Sequence, residues 1–118
     1  AATIVTWGAM VDRAAQAAEG LDCEILDLRT IMPWDKEAVL ASVRKTNRVL
    51  VLHEDNWTCG LGGEIASTIA QEAFTTLDAP VERLATADCP VPYNTTLMDA
   101  VVPTVTAIRQ SLEKLLRF

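Results

Sequence analysis

Residues 48–72 read RVLVLHEDNWTCGLGGEIASTIAQE, and their order decides the fold. Val49, Leu50, Val51 and Leu52 form an unbroken apolar run, the pattern of a strand buried on both faces of a parallel sheet. His53, Glu54, Asp55 and Asn56 come next, and then the glycines Gly60, Gly62 and Gly63. Beyond them Ile65, Ile69, Ala73 and Phe74 recur at helical spacing, which predicts a one-sided helix ending near Thr76. A strand, a glycine-rich turn and a helix make half of an α/β unit.

The flanking sequence supplies the neighbours such a unit needs. Upstream, residues 3–7 (TIVTW) predict a short strand stopped by Gly8. Residues 9–19 are rich in alanine and other helix formers, and Gly20 is placed to end that helix. Its alanines make it thin, so a sheet or another helix can approach closely. Residues 23–28 (CEILDL) predict a second strand. Pro33 disfavours helix at Met32, residues 36–45 predict a second helix with Val39, Leu40 and Val43 inward, and Asp35 can cap its start.

Downstream, residues 77–80 (LDAP) are a break and residues 81–84 a fourth strand. Residues 88–93 (DCPVPY) predict an extended loop, because two prolines cannot sit in a regular ladder or helix interior. Pro103 and Thr104 start a last helix whose Val105, Ile108, Leu112 and Leu115 form one apolar stripe. The order β-α-β-α-β-α-β-loop-α shows no repeat and no linker. It predicts an α/β fold: a largely parallel sheet with helices on both faces, in one domain covering residues 1–118.

Composition bounds the function. At 118 residues there is room for one real core and no second domain. A net charge of −6 argues against nucleic acid, whose phosphates need a basic surface, and favours a basic partner. No apolar run approaches the roughly 20 residues of a membrane span, and no secretory signal pattern occurs. Cys23, Cys59 and Cys89 are far apart, odd in number and accompanied by a single histidine. That excludes a zinc site or disulfide framework and reads as three buried or half-buried reduced thiols of a cytoplasmic-type protein. The chain enters a strand at once with no Met, which reads as a piece of something longer.

Several residues carry a chemical reading beside a structural one. Gly60, Gly62 and Gly63 before a helix invite a phosphate, but neither the dinucleotide fingerprint nor the P-loop pattern is present. Glu64 would repel an anion and suits the helix dipole, so a structural turn is favoured. His53 and Glu54 stand at the carboxyl end of the third strand, where open α/β sheets place ligands, and such a pair could do acid–base work. No nucleophile motif or triad accompanies them, which favours a loop-ordering or interface role. Asp27 and Arg29 form either a recognition pair or a solvated ion pair. Trp7, Trp34 and Trp57 fit interface contacts and loop packing equally well.

Taken together, residues 3–11 (TIVTWGAMV), residues 27–35 (DLRTIMPWD), Val51-Leu52-His53-Glu54, Gly60 with Gly62-Gly63-Glu64-Ile65, residues 78–83 (DAPVER) and residues 88–93 (DCPVPY) occur in an order that resembles one family. It is the transketolase-type C-terminal domain of the β subunit of thiamine-diphosphate-dependent 2-oxoacid dehydrogenases, and the resemblance covers essentially the whole chain. It implies a three-layer α/β/α sandwich around a five-stranded mixed sheet with one antiparallel strand, the fifth falling near residues 88–91. It also implies a parent that decarboxylates a 2-oxoacid and acylates a lipoyl group, using thiamine diphosphate and magnesium held outside this domain. The domain itself would bind no cofactor and have no activity alone.

The same resemblance implies partners. These are the α subunit and a second β subunit, with His53, Glu54, Trp57, Gly60 and Gly62 in an interface or ligand-end loop and homodimerisation open. Asp78, Glu82 and the carboxylate of Phe118 would receive the basic peripheral subunit-binding domain of dihydrolipoyl acyltransferase; the bland alternative is solvated surface acids. Among substrates, residues 31–35 with His53-Glu54 look closest to branched-chain 2-oxoisovalerate enzymes, while residues 88–93 are equally like pyruvate or acetoin members. The compartment would be bacterial cytoplasm or mitochondrial matrix. Two rivals stand beside this reading: a stand-alone enzyme using His53 and Glu54, and the third domain of a transketolase-like thiamine enzyme.

Overall fold

In the computed structural model, which describes residues 1–118, strands β1 (Ala2–Thr6), β2 (Cys23–Asp27), β3 (Val49–Asn56) and β4 (Glu82–Thr86) form one sheet in the order β2-β1-β3-β4. All three pairings are parallel. Helices α1 (Met10–Ala17), α2 (Lys36–Thr46) and α3 (Leu61–Glu72) make the crossovers. A 3-10 turn (Phe74–Thr76) follows α3, and α4 (Thr95–Val101) and α5 (Val105–Leu116) close the chain.

Alternation along the two central strands sorts the core into two layers. Ala2 and Ile4 of β1, with Leu50 and Leu52 of β3, pack against Met10 and Ala14 of α1 and against Ile108, Leu112 and Leu115 of α5. Val5, Val49 and Val51 face the other way, onto Val39 and Val43 of α2 and Ile65 and Ile69 of α3. Burial on both faces is why β1 and β3 read as continuous apolar runs. Ala14 and Ala17, both fully covered, let α1 lie close to the sheet and to α5.

The three-layer α/β/α class is as expected, but the sheet has four strands, not five, and no antiparallel strand. Pro90 and Pro92 lack the N–H groups a ladder needs, and residues 88–91 run as an exposed loop. The sequence reading also lacked α4. Its start is marked by Asn94, whose side chain accepts the N–H groups of Thr96 and Leu97. The helix expected to reach Thr76 stops at Glu72 and tightens into the 3-10 turn.

α1 leaves β1 on one face of the sheet, while α3 leaves β3 on the other. The chain therefore reverses its winding between β1 and β3. A crevice opens outside the carboxyl ends of two such neighbouring strands, and ligands of open α/β sheets favour it. Trp7-Gly8 and His53-Glu54 stand there.

Candidate functional site at the switch point

His53 closes the buried part of β3 and is 1% exposed. Its ring stacks on Trp7, with centroids 5.3 Å apart and planes 12° from parallel. The Asp55 N–H donates to Nδ1 at 3.1 Å, so in the neutral ring the proton sits on Nε2. That Nε2 is buried and has no partner. Burial, with a smaller push from the Arg83 charge, holds the His53 pKa below its ordinary value; the Asp55 carboxylate pulls the other way.

The glycine turn is shaped by this ring. A Cβ on Gly62 would lie 2.3 Å from His53 Nε2, and one on Gly60 would lie 2.1 Å from the Asn56 carbonyl oxygen and 2.9 Å from His53 Cε1. Only hydrogen fits at either place, so the turn's glycines have a packing reason that calls for no phosphate. Glu54 points to the opposite face of the strand, by the alternation that buries His53, and is exposed. Its carboxylate comes to 3.8 Å of where a Gly8 Cβ would stand. The strand thus separates the two groups an acid–base pair would have to join.

The loop from Trp57 to Gly60 is pinned to β4 and the segment after it. The Trp57 N–H donates to the Thr86 carbonyl at 3.0 Å, and the Thr86 hydroxyl donates to the Glu54 carbonyl. Arg83 donates to the Trp57 carbonyl at 2.7 Å and lies over the indole, 4.6 Å from the ring centre. Thr58 donates its N–H to Asp88 Oδ1 at 2.9 Å and its hydroxyl to Oδ2. Those two bonds, the hydroxyl first, hold the Asp88 carboxyl below the usual carboxylate range. Arg83 and Asp88 fall inside the segments 78–83 and 88–93 that carry the resemblance, but neither was singled out as a site residue, because sequence alone does not show that both hold the Trp57–Thr58 loop. A shallow cavity of about 510 Å³ lies between this loop, Gly63, Glu64 and Arg83.

The thiamine diphosphate and magnesium implied by the resemblance do not fit these residues. No group of three or more His, Cys, Asp or Glu side chains could hold a metal ion, and Glu64 occupies the first turn of α3, where a diphosphate would meet a carboxylate. Two cysteines also depart from expectation. Cys59 and Cys89 are exposed and only Cys23 is half-buried, because the first two stand in loops beyond the strand ends.

Asp78, Glu82 and Phe118 gather at the opposite, amino end of the sheet. Arg48 joins two of them, reaching Asp78 Oδ2 at 3.8 Å and donating to the Phe118 carbonyl oxygen. Glu82 pairs with Lys114 of α5 at 3.3 Å. An apolar cleft of about 600 Å³ adjoins them, lined by Phe74, Leu77, Pro80 and Val81 beside Asp78. At the outer edge of β2, Arg29 binds Asp27 at 3.1 Å with its own side chain largely in solvent, a solvated ion pair.

Comparison with known proteins places this geometry. The chain is 48% identical over 95 residues to the 2-oxoisovalerate dehydrogenase subunit beta 2 of Arabidopsis thaliana, covering 76% of this chain and 26% of that protein. It is 40% identical over 117 residues to the pyruvate dehydrogenase E1 component subunit beta of Rickettsia conorii, covering 95% of this chain and 36% of that one. A solved structure described as "Split gene transketolase, inactive beta4 tetramer" superposes with a TM-score of 0.75 at 25% identity, over 98% of this chain and 38% of that chain. The chain thus spans well under half the length of each. The family described as "Transketolase, C-terminal domain" matches residues 1–108, and with the parallel β2-β1-β3-β4 sheet this assigns the chain to the transketolase C-terminal domain family.

Proposed function

We propose that this chain is the C-terminal domain of the β subunit of a 2-oxoacid dehydrogenase decarboxylating component. The observation that carries the reading is 38–48% identity to β subunits of 2-oxoisovalerate, pyruvate and acetoin enzymes, running over 95% of this chain for the pyruvate members. The parent oxidatively decarboxylates a 2-oxoacid and passes the acyl group to a lipoyl carrier, with 2-oxoisovalerate the favoured substrate. Thiamine diphosphate supplies carbanion stabilisation there and is held by other parts of the parent. The compartment is bacterial cytoplasm or mitochondrial matrix.

Within that enzyme the domain works by contact. The carboxyl-end loops and α4 carry the exposed apolar side chains Met32, Trp57, Val91, Tyr93 and Leu97 and form the face toward the other subunits. The amino end receives the acyltransferase: Asp78, Glu82 and Phe118 meet its basic binding domain. Arg48 and Lys114 hold those oxygens in place, so little side-chain entropy is lost on docking.

Calorimetric titration of the chain with a peripheral subunit-binding domain, at low and high salt, tests this. Salt-sensitive binding that falls at least tenfold in Asp78→Lys/Glu82→Lys supports the docking role. Absence of binding by the folded chain overturns it and favours a transketolase-like parent, the reading to which the superposed transketolase structure lends support.

A further inference from the structure

A proton that charges His53 has one place to go. Nε2 already carries a hydrogen in the neutral ring, because Nδ1 accepts the Asp55 N–H at 3.1 Å. The second proton lands on Nδ1 and sets a donor against a donor, which strips the Asp55 N–H of its acceptor. A new acceptor lies on the same residue. The exposed Asp55 carboxylate now takes the Asn56 N–H at 2.7 Å, and turned to Nδ1–H it makes a charge-assisted bond at the cost of that contact. Both residues stand where the pairing of β3 with β4 is irregular, between Leu52–Leu84 and Asn56–Thr86, so no regular ladder to β4 fixes them. Asn56 is packed on the glycine turn: a Cβ on Gly60 would stand 2.1 Å from its carbonyl oxygen. A shift of the Asn56 peptide therefore shifts Gly60 and the loop between them.

We propose that His53 is a pH-sensitive switch for the loop from Trp57 to Gly60: protonation at Nδ1 draws the Asp55 carboxylate off the Asn56 N–H and displaces the loop. The ties that yield are the Trp57 N–H to the Thr86 carbonyl at 3.0 Å and the Arg83 contacts to the Trp57 carbonyl and indole. The strand before His53 holds, because Val49 to Leu52 are buried and pair with β1 on one side and β4 on the other. The charges around the ring come from three elements. On β3, Asp55 favours the cation, and Glu54 points to the opposite face of the strand. On β4, Arg83 opposes it. From α3 come the positive end of the helix and, in the same turn, the Glu64 carboxylate beside the outer cleft. β1 brings only the uncharged Trp7, stacked on the ring. The output is the pose of the exposed Trp57 indole. The inference stands on the surroundings of His53 and is independent of the parent enzyme proposed above.

The test is a nuclear magnetic resonance titration of the chain from about pH 8 to pH 5, following the His53 ring and the backbone amides. The expected result is one shared midpoint, below 6.5, for the His53 ring and for the Asn56, Trp57 and Gly60 amides. Across it the Overhauser contacts between Arg83 and the Trp57 ring fade and the Trp57 amide exchanges with solvent about tenfold faster, while Leu50 to Leu52 keep their shifts and their protection. Asp55→Asn, which keeps the shape but not the charge, lowers the His53 midpoint and leaves the Arg83–Trp57 contacts in place. His53→Asn removes the pH dependence altogether; where that variant does not fold, the Asp55→Asn result decides alone. The proposal is overturned if His53 stays neutral down to pH 5, or if it titrates while the Arg83–Trp57 contacts persist. Loss of the whole circular dichroism signal at the His53 midpoint, or a loop response unchanged in Asp55→Asn, overturns it equally.

Discussion

Protonating His53 puts a cation against the first turn of α3, the positive end of that helix, at an Nε2 with no hydrogen-bond partner. Arg83 on β4 opposes the charge and Asp55 favours it, and burial outweighs the latter. The folded pKa lies below 6.5, so on acidification the unfolded chain takes its proton first. Stability is therefore full above the unfolded value and is lost as pH falls through about 6.5. Urea unfolding from about pH 8 to pH 5 should show this loss. His53→Asn keeps an acceptor for the Asp55 N–H; it should be less stable at neutral pH yet lose less on acidification. An equal slope in both proteins would refute a buried neutral histidine. The glycines give a second prediction. Gly62→Ala drives a methyl into the ring and should cost about 1–3 kcal/mol. Gly63→Ala, whose Cβ would sit 3.5 Å from Arg83, should be neutral or gain about 0.5–1 kcal/mol from helix propensity. Denaturation midpoints of the pair would check the sign. The sequence showed that a glycine turn lies beyond His53. It could not show that the histidine is the reason, because the contact depends on where α3 lands.

β1 and α2 are joined across the core by hydroxyls. Thr3 Oγ1 lies 2.7 Å from both Ser42 Oγ and Thr46 Oγ1; Ser42 donates to Glu24 at 2.6 Å and Thr46 to the Arg48 carbonyl at 3.1 Å. If Ser42 and Thr46 both donate outward, Thr3 has one proton for two neighbours, and its hydrogen bond is shared between them. Thr3 and its partners are buried, and Glu24 is the solvent end of the chain, held below its ordinary pKa by Lys45 and then Ser42. Thr3→Val, nearly isosteric, should cost about 1–2 kcal/mol by leaving both hydroxyls short of a partner. Glu24→Gln, at the wet end, should leave chemical-denaturation stability nearly unchanged. At this scale the sequence was most readable where burial was two-sided. Val49 to Leu52 could be little else than a central strand, and Asp35 did cap α2 through its bond to the Ala38 N–H. The C-terminal part of β4 and all of α4 escaped. Ala85 and Thr86 end an edge strand of mixed polarity, and α4 has no buried residue to impose a helical period, leaving Asn94 as its only signal.

A parallel sheet puts every strand's carboxyl end on one side, and that sorts this molecule into two unlike ends. The carboxyl end carries Met32, Trp57, Val91, Tyr93 and Leu97 exposed, with carboxylates such as Glu54, Asp55 and Asp88 around them. At the amino end the acids alternate with Arg48 and Lys114 and surround the cleft beside Phe74. Sequence motifs named residues of both ends without saying that they lie apart, since a motif carries no topology until the strand order is known. The two ends should respond oppositely to salt. Contacts led by charge weaken as the screening length falls to about 3 Å at 1 M salt, whereas apolar burial between like-charged faces strengthens once their repulsion is screened. Sedimentation velocity of the chain alone should therefore show self-association that grows with salt, and Trp57→Ser/Tyr93→Ser should diminish it. Asp78→Lys should leave it unchanged, because that residue belongs to the other end. Association that weakens with salt, or that survives loss of both aromatics, would place the self-contact elsewhere and leave the carboxyl-end loops without their proposed role.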